Sequence, residues 1–151
     1  LAGHDVASTD VVAPLSCKLR VRYGECDPQG VVFNAHFLAY FDIAVTELFR
    51  TALGGYQAVV DRGIDFVVAE AGLCYRQPAH FDEELTLEVA VARLGTTSIT
   101  TCYRVLREAD LLVEGTLRHV LVELKGHLGR EPGAKTAIPD WMREGLTPYL
   151  G

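Results

Sequence analysis

Asp27 stands directly before Pro28, three residues ahead of Gly30 and seven ahead of Asn34, in the stretch RYGECDPQGVVFNAHFLAYFD that runs from Arg22 to Asp42. Proline restricts the residue before it to extended backbone, which fixes the carboxylate locally. Gly30 permits a positive φ or a close backbone approach to a ligand. Asn34 is a suitable N-cap for the apolar helical segment that follows, so the first open N–H groups belong to Ala35, His36 and Phe37. Those donors and the helix dipole favour negative charge. Attack on a carbonyl builds such a charge, which the N–H groups can stabilise. The carboxylate can attack that carbonyl itself or deprotonate a water. Thioester hydrolysis uses this pair. The plainer reading of Asp27 is a turn residue, since Asp-Pro is common in loops.

Other chemistry-bearing residues have plainer roles. Glu25 reads as a solvated loop acid, with a share in the proton chemistry as the sharper alternative. Asp42 and Glu47 fall on the polar side of the helix, where ion pairing is the default and a backup base the alternative. His36 lies in the first helical turn. His80 and His119 read as structural, His4 and His127 as solvated. Cys17, Cys74 and Cys102 fall in strand-like runs and pack as small hydrophobes. Cys26 adjoins Asp27 but has no evident histidine partner.

The elements that must position these residues follow from periodicity. LSCKLRVRY alternates, with Leu15, Cys17, Leu19, Val21 and Tyr23 on one face and Ser16, Lys18, Arg20 and Arg22 on the other, as in a half-buried strand. From about Ala35 to Ala52 the spacing is helical, with Phe37, Phe41, Ala44, Val45 and Leu48 together. Leu38, Tyr40 and Ile43 widen this apolar arc, and Gly54–Gly55 ends it. A short helical piece is expected from Tyr56 to Asp61. Strands are expected in DFVVAEAGLCYR, ELTLEVAVARL, SITTCYRVLR and LLVEGTLRHVLVEL, with short joints at Gly95 and at Glu108–Asp110 that imply antiparallel neighbours. GREPGAKTAIPDWMREGL reads as a loop and then a short helix whose first turn Pro139 opens. This is an α+β layout. The helix is more apolar than one small sheet can cover, which predicts a second subunit.

The stretch Asp27-Pro28-Gln29-Gly30-Val31-Val32-Phe33, followed by a helix carrying Phe37, Tyr40, Phe41 and Asp42, resembles the hotdog-fold thioesterases of the 4-hydroxybenzoyl-CoA thioesterase and YbgC type. The later strand order fits as well, as do Gly129-Arg130 and Ile138-Pro139 in the tail. The resemblance implies a hotdog fold: a five-stranded antiparallel sheet wrapped around one long central helix, in residues 14–151. It implies a homodimer or homotetramer. It makes Asp27 the catalytic carboxylate and the Asn34 backbone N–H the donor to the thioester carbonyl. Gly30, Phe33, His36 and Phe37 would be substrate-binding, with Asn34, in a pocket formed partly across the subunit interface. The substrate would be an acyl-CoA or aryl-CoA thioester, with an acyl-carrier-protein thioester as a further candidate, and no cofactor or metal is implied. Two rivals use the same fold. GECDPQG partly resembles a hotdog hydratase signature but has Gly30 in place of its histidine and Asp27 in place of its asparagine. A non-catalytic acyl-thioester sensor would need no carboxylate near the carbonyl. The basic cluster that 4-hydroxybenzoyl-specific relatives carry between two later strands is reduced here to Arg93 in ARLGTTSIT, so the nucleotide end of CoA is expected to contribute little. Arg93, Arg118, Lys125 and Arg130 are the scattered candidates for it.

The chain has 151 residues and a formal net charge of −6, which argues against a nucleic-acid partner. Nearly half the residues are apolar, enough for one core. No apolar run reaches membrane-spanning length. The opening LAGHDVASTD lacks the features of a signal peptide and reads as part of a mobile tail over residues 1–13. The four cysteines have no zinc-ligand spacing and suit a reducing cytoplasm.

Overall fold

A computed structural model describes residues 15–125 and 131–151. The expected tail (1–13), His4, His127, Gly129 and Arg130 lie outside the described residues. Six strands make one antiparallel sheet: β1 (Leu15–Arg20), β2 (Ile64–Tyr75), β3 (Glu84–Leu94), β4 (Ser98–Arg107), β5 (Asp110–Lys125) and β6 (Glu131–Lys135). The path is β1-β3-β4-β5-β2, with β6 paired to β5. β3 and β4 have the bounds that their alternation predicts, because two tight hairpins hold them against neighbours close in sequence. β6 replaces part of the expected loop and makes six strands rather than five. Its Pro132 and Gly133 disfavour a strand, but proline is tolerated at a sheet edge.

Helix α1 (His36–Leu53) buries Phe37, Tyr40, Phe41, Ala44, Val45, Leu48 and Phe49 in the core. Phe41 stacks on Tyr103 of β4 at 4.3 Å, and Phe49 on Phe66 of β2 at 4.5 Å. Gly54, at φ +81, ends the helix in the left-handed conformation that glycine adopts without strain. Leu38 and Ile43 stay 41% exposed. Helices α2 (Tyr56–Val60) and α3 (Asp140–Leu146) complete the layer. Pro139 sits just before α3 rather than in its first turn.

Two local expectations are corrected. β1 stops at Arg20, and a 3₁₀ turn at Tyr23–Glu25 swings Tyr23 out of the alternation, leaving it 82% exposed. Asn34 is not the cap of α1. Ala35 holds that position, already helical at φ −67 and ψ −22, and no side chain caps the helix. The chain winds into α1 through a turn, so the His36 N–H is taken by the Phe33 carbonyl at 2.9 Å and the Phe37 N–H by the Asn34 carbonyl at 3.3 Å.

Candidate active site

The Asp27 segment is a tight hairpin. Cys26 pairs with Val32, the Asp27 N–H donates to the Val31 carbonyl at 2.9 Å, and the Gly30 N–H donates to the Asp27 carbonyl at 2.9 Å. Asp, Pro and Gly occupy the turn positions each favours. Gly30 has φ +79, and a Cβ placed there would meet nothing within 4 Å. Its role in the fold is therefore the left-handed conformation, not a close approach. One carboxylate oxygen of Asp27, Oδ1, accepts the Gln29 N–H at 2.8 Å. That bond orients the group and leaves Oδ2 without a protein donor among the described residues.

The hairpin is fastened on two sides. The Val32 N–H donates to the Ala79 carbonyl at 2.8 Å, and Val31 bridges to His80. The His80 loop is in turn held by Glu83, which accepts from the His80 N–H at 2.6 Å and pairs with Arg107 at 3.0 Å. Burial raises the Glu83 carboxyl pKa, but these donors outweigh it and hold the pKa below its ordinary value. On the other side Glu25 bonds to α1, so it is a fastening residue rather than a solvated loop acid: the Tyr40 hydroxyl donates to it at 3.0 Å.

Asp27, Asn34 and Phe37 line one cavity of about 450 Å³, together with Tyr75, Arg76 and Gln77 at the end of β2. The Tyr75 hydroxyl donates to the Asn34 carbonyl at 3.0 Å, and its ring lies 5.8 Å from that of Phe37. This bond ties the turn before α1 to the sheet. Since the His36 and Phe37 N–H groups are occupied, the open donors at this end narrow to Asn34 and Ala35, neither of which has an acceptor among the described residues. The cavity is therefore lined by Asp27, whose Oδ2 has no protein donor, by Asn34, whose N–H has no acceptor among the described residues, and by apolar Val31, Val32 and Phe37.

The other expected site residues lie elsewhere in the single chain. Phe33 is 46% exposed and meets His36 edge-on at 6.3 Å, and neither lines this cavity. Gly30 borders a neighbouring hollow that Asp27 also lines. Glu47 pairs with Arg50. Asp42 lines a separate cavity of about 350 Å³ with Phe49, Phe66 and His119. Burial raises the thiol pKa values of Cys17 and Cys102, which makes both poor nucleophiles. Among the described residues no group of three acidic, histidine or cysteine side chains is arranged to hold a metal, and no helix is long and apolar enough to cross a membrane. Tyr75 and Arg76 were not singled out from the sequence, and Tyr40 was read there only as part of the helix's apolar arc and of the motif, not as a partner of Glu25. Their partners lie 15 to 41 residues away, and no local pattern marks such pairs.

An antiparallel sheet packed on the 18-residue helix α1, with a carboxylate-bearing hairpin just before that helix, is the layout of a hotdog fold. The family description "Thioesterase-like superfamily" matches residues 21–146, and the chain belongs to that family. It is 30% identical over 110 residues to the acyl-CoA thioesterase YbgC of Haemophilus influenzae, covering 72% of this chain and 81% of that one. It is also 30% identical over 102 residues to the acyl-CoA thioester hydrolase YbgC of Escherichia coli, covering 63% and 76%. Among solved structures, a protein of Thermus thermophilus superposes with a TM-score of 0.78 at 31% identity, covering 89% of this chain and 98% of that one. One from Aquifex aeolicus gives 0.81 at 25%, covering 89% and 100%.

Proposed function

We propose that this chain hydrolyses small aryl- or acyl-CoA thioesters to the free acid and CoA, as a homo-oligomer. The observation that carries the reading is the shared cavity of Asp27 and Asn34, with Asp27 Oδ2 and the Asn34 N–H both open. The Asn34 N–H polarises the thioester carbonyl and holds the oxyanion as it forms. Asp27 then acts in one of two ways. As a nucleophile it forms an acyl anhydride and expels the CoA thiolate, and water cleaves the anhydride. As a general base it takes a proton from the water that attacks. Phe37 supplies an apolar wall for the acyl group, and Phe33 and His36 complete the pocket of a partner subunit. The YbgC relatives, named as acyl-CoA thioesterases, support CoA as the carrier. The cysteines, all free, suit the reducing cytoplasm.

The test is a panel of acyl-CoA substrates of varied chain length and aryl character, followed by release of free thiol. Saturable turnover of at least one member is expected. A chain that binds the panel but releases no thiol from any member would be a sensor, and the reading would fail.

A further inference from the structure

The loop that carries Asp27 rests on a second loop. Its two ends, Val21 and Val32, are both bonded to the segment of residues 76–83 that joins β2 to β3. The Val21 N–H donates to the Glu83 carbonyl at 2.9 Å, and the Val21 carbonyl accepts the Asp82 N–H at 3.1 Å. At the other end the Val32 N–H reaches the Ala79 carbonyl at 2.8 Å, beside the bridge from Val31 to His80. Gln77 and Pro78 of the same segment line the cavity with Asp27 and Asn34. The supporting loop therefore sets the placement of Asp27 and one wall of its cavity.

Apolar packing does little to shape that loop. Of its side chains only Ala79 is buried. Segments with few buried apolar contacts open easily unless polar bonds hold them. Arg107, the last residue of β4, supplies such bonds. Its Nη1 donates to the Pro78 carbonyl at 3.2 Å and lies 3.0 and 3.2 Å from the two Glu83 carboxylate oxygens. One guanidinium thus joins the two ends of the loop. Glu83 Oε1 also accepts the His80 N–H at 2.6 Å and pairs with His80 Nδ1 at 2.9 Å, so the carboxylate closes the turn between them. The Arg107 and Glu83 side chains are 27% and 23% exposed, against 69% and 50% for the Lys18–Glu84 pair. Solvent screens the Arg107 pair correspondingly less.

We propose that Arg107 is a positioning residue for hydrolysis: it does not line the cavity, and it acts by clamping Glu83 and the Pro78 carbonyl so that the loop beneath Asp27 keeps one shape. The inference rests on the thioesterase reading of Asp27. Nothing local in the sequence marks the pair, since Glu83 and Arg107 stand 24 residues apart. A pair that only stabilised the fold would lower Tm and leave the rate of each folded molecule alone. A pair that seats Asp27 acts on the rate through that carboxylate, so its effect disappears once the carboxylate is gone.

The experiment places Arg107→Ala and Arg107→Lys in the wild type and in Asp27→Asn, and reads amide hydrogen exchange beside steady-state kinetics, well below every Tm. In Arg107→Ala the amides of Asp27, Gly30 and Val32 should exchange at least about tenfold faster, while those of β3 and β4 keep their protection. Its kcat should fall by about 10–10²-fold with a smaller change in KM. Lysine keeps the charge but lacks the planar fork, so Arg107→Lys should fall between the wild type and Arg107→Ala. In the Asp27→Asn background, Arg107→Ala should lower kcat by less than about twofold further, because the two positions act on one group. Unchanged exchange in the Asp27 loop would overturn the proposal. So would faster exchange with full kcat, or equal fold-losses in the two backgrounds, which would make the pair structural only. If Arg107→Ala does not fold, Arg107→Lys carries the same readouts. A wild type that releases no thiol from any thioester refutes the thioesterase reading, and exchange alone then decides whether Arg107 holds the loop.

Discussion

The Tyr40 hydroxyl donates to Glu25 Oε1 at 3.0 Å, so a fully buried side chain of α1 holds the loop that carries Asp27. The same oxygen accepts the Arg22 N–H at 2.7 Å, and the Glu25 carbonyl accepts the Phe33 N–H at 2.9 Å. Glu25 therefore joins the start of the loop, its end and the helix. Burial, and then the bond to Glu25, raise the Tyr40 phenol pKa well above its ordinary value, so it stays a donor. Tyr40→Phe keeps the ring and removes only the donor. We predict a stability loss of about 0.5–1.5 kcal/mol. Turnover should fall by up to about 10²-fold as Asp27 loses its fixed position, with KM little changed. Steady-state kinetics beside thermal melts would separate the effects: a lower Tm with unchanged kcat would confine the bond to stability.

Asp27→Asn should fold normally, because the amide oxygen of asparagine can still accept the Gln29 N–H that Oδ1 accepts now. It loses the charge and the basicity. Hydrolysis should drop on the order of 10²–10⁴-fold. If the purified variant turns over its best substrate at the wild-type rate, Asp27 is a turn residue only. Asp42 then becomes the carboxylate to test, since Glu47 is held by Arg50.

What could be read from the sequence was local. The alternation in β3 and β4, the helical spacing of Phe37, Phe41, Ala44 and Leu48, and the glycine stop at Gly54 each lie within a few residues, and the structure has them at those places. The Asp-Pro-Gln-Gly turn was equally legible, because its residue types prescribe its geometry. Contacts across the chain were not. The bond from Tyr75 to the Asn34 carbonyl spans 41 residues and exists only because β2 ends beside the start of α1. β6 forms because β5 offers it an edge, against the preference of Pro132 and Gly133. Asn34 looked like a cap because its type suits one, yet the turn from Phe33 to His36 made Ala35 the entry to the helix.

Gly115 in β5 has no room for a side chain. A Cβ there would lie 2.3 Å from the Gly72 carbonyl oxygen and 2.8 Å from Phe41 Cε2. The Phe41 ring cannot yield easily, since it is stacked on Tyr103. We predict that Gly115→Ala costs about 1–3 kcal/mol through overpacking. For a chain of this size that is roughly 2–4 °C of Tm per kcal/mol. A variant melting with the wild type would mean that β2 can shift away at no cost.

His119 should make the fold sensitive to mild acid. It is 4% exposed, with Phe49 and Phe66 each edge-on at 6.2 Å and no partner for Nδ1 among the described residues. Burial holds its pKa below the ordinary value, against a smaller opposing pull from Asp42. The unfolded chain therefore takes up a proton here near pH ~6.5 while the folded chain does not. Stability is whole above that pH and is lost as pH falls toward the lower folded value. His119→Phe removes this proton uptake. Between about pH 7.5 and pH 5.5 the wild type should lose more Tm than the variant. Parallel losses in the two proteins would show that His119 is already paired in solution.

The outer edge of β2 is the strongest sign of assembly. Among the described residues β2 pairs with β5 and with no other strand, and residues 67 to 72 along it are all exposed, with Val67 at 44% and Val68 at 53%. A long apolar edge strand exposed to water invites pairing with another strand. A two-fold axis through this run would join β2 to its copy in antiparallel fashion, an isologous contact. Leu38 and Ile43 add exposed apolar surface on α1. We predict a dimer or tetramer with no stable monomer, and an obligate interface burying roughly 2,000 Å² or more in total. Light scattering at micromolar concentration should find no folded monomer in the wild type. Val67→Lys with Val68→Lys places charge at consecutive positions on the edge, and should dissociate the assembly or prevent folding. A wild-type protein that scatters as a folded monomer, or a doubly substituted one that keeps the wild-type mass, would place the subunit contact somewhere other than β2.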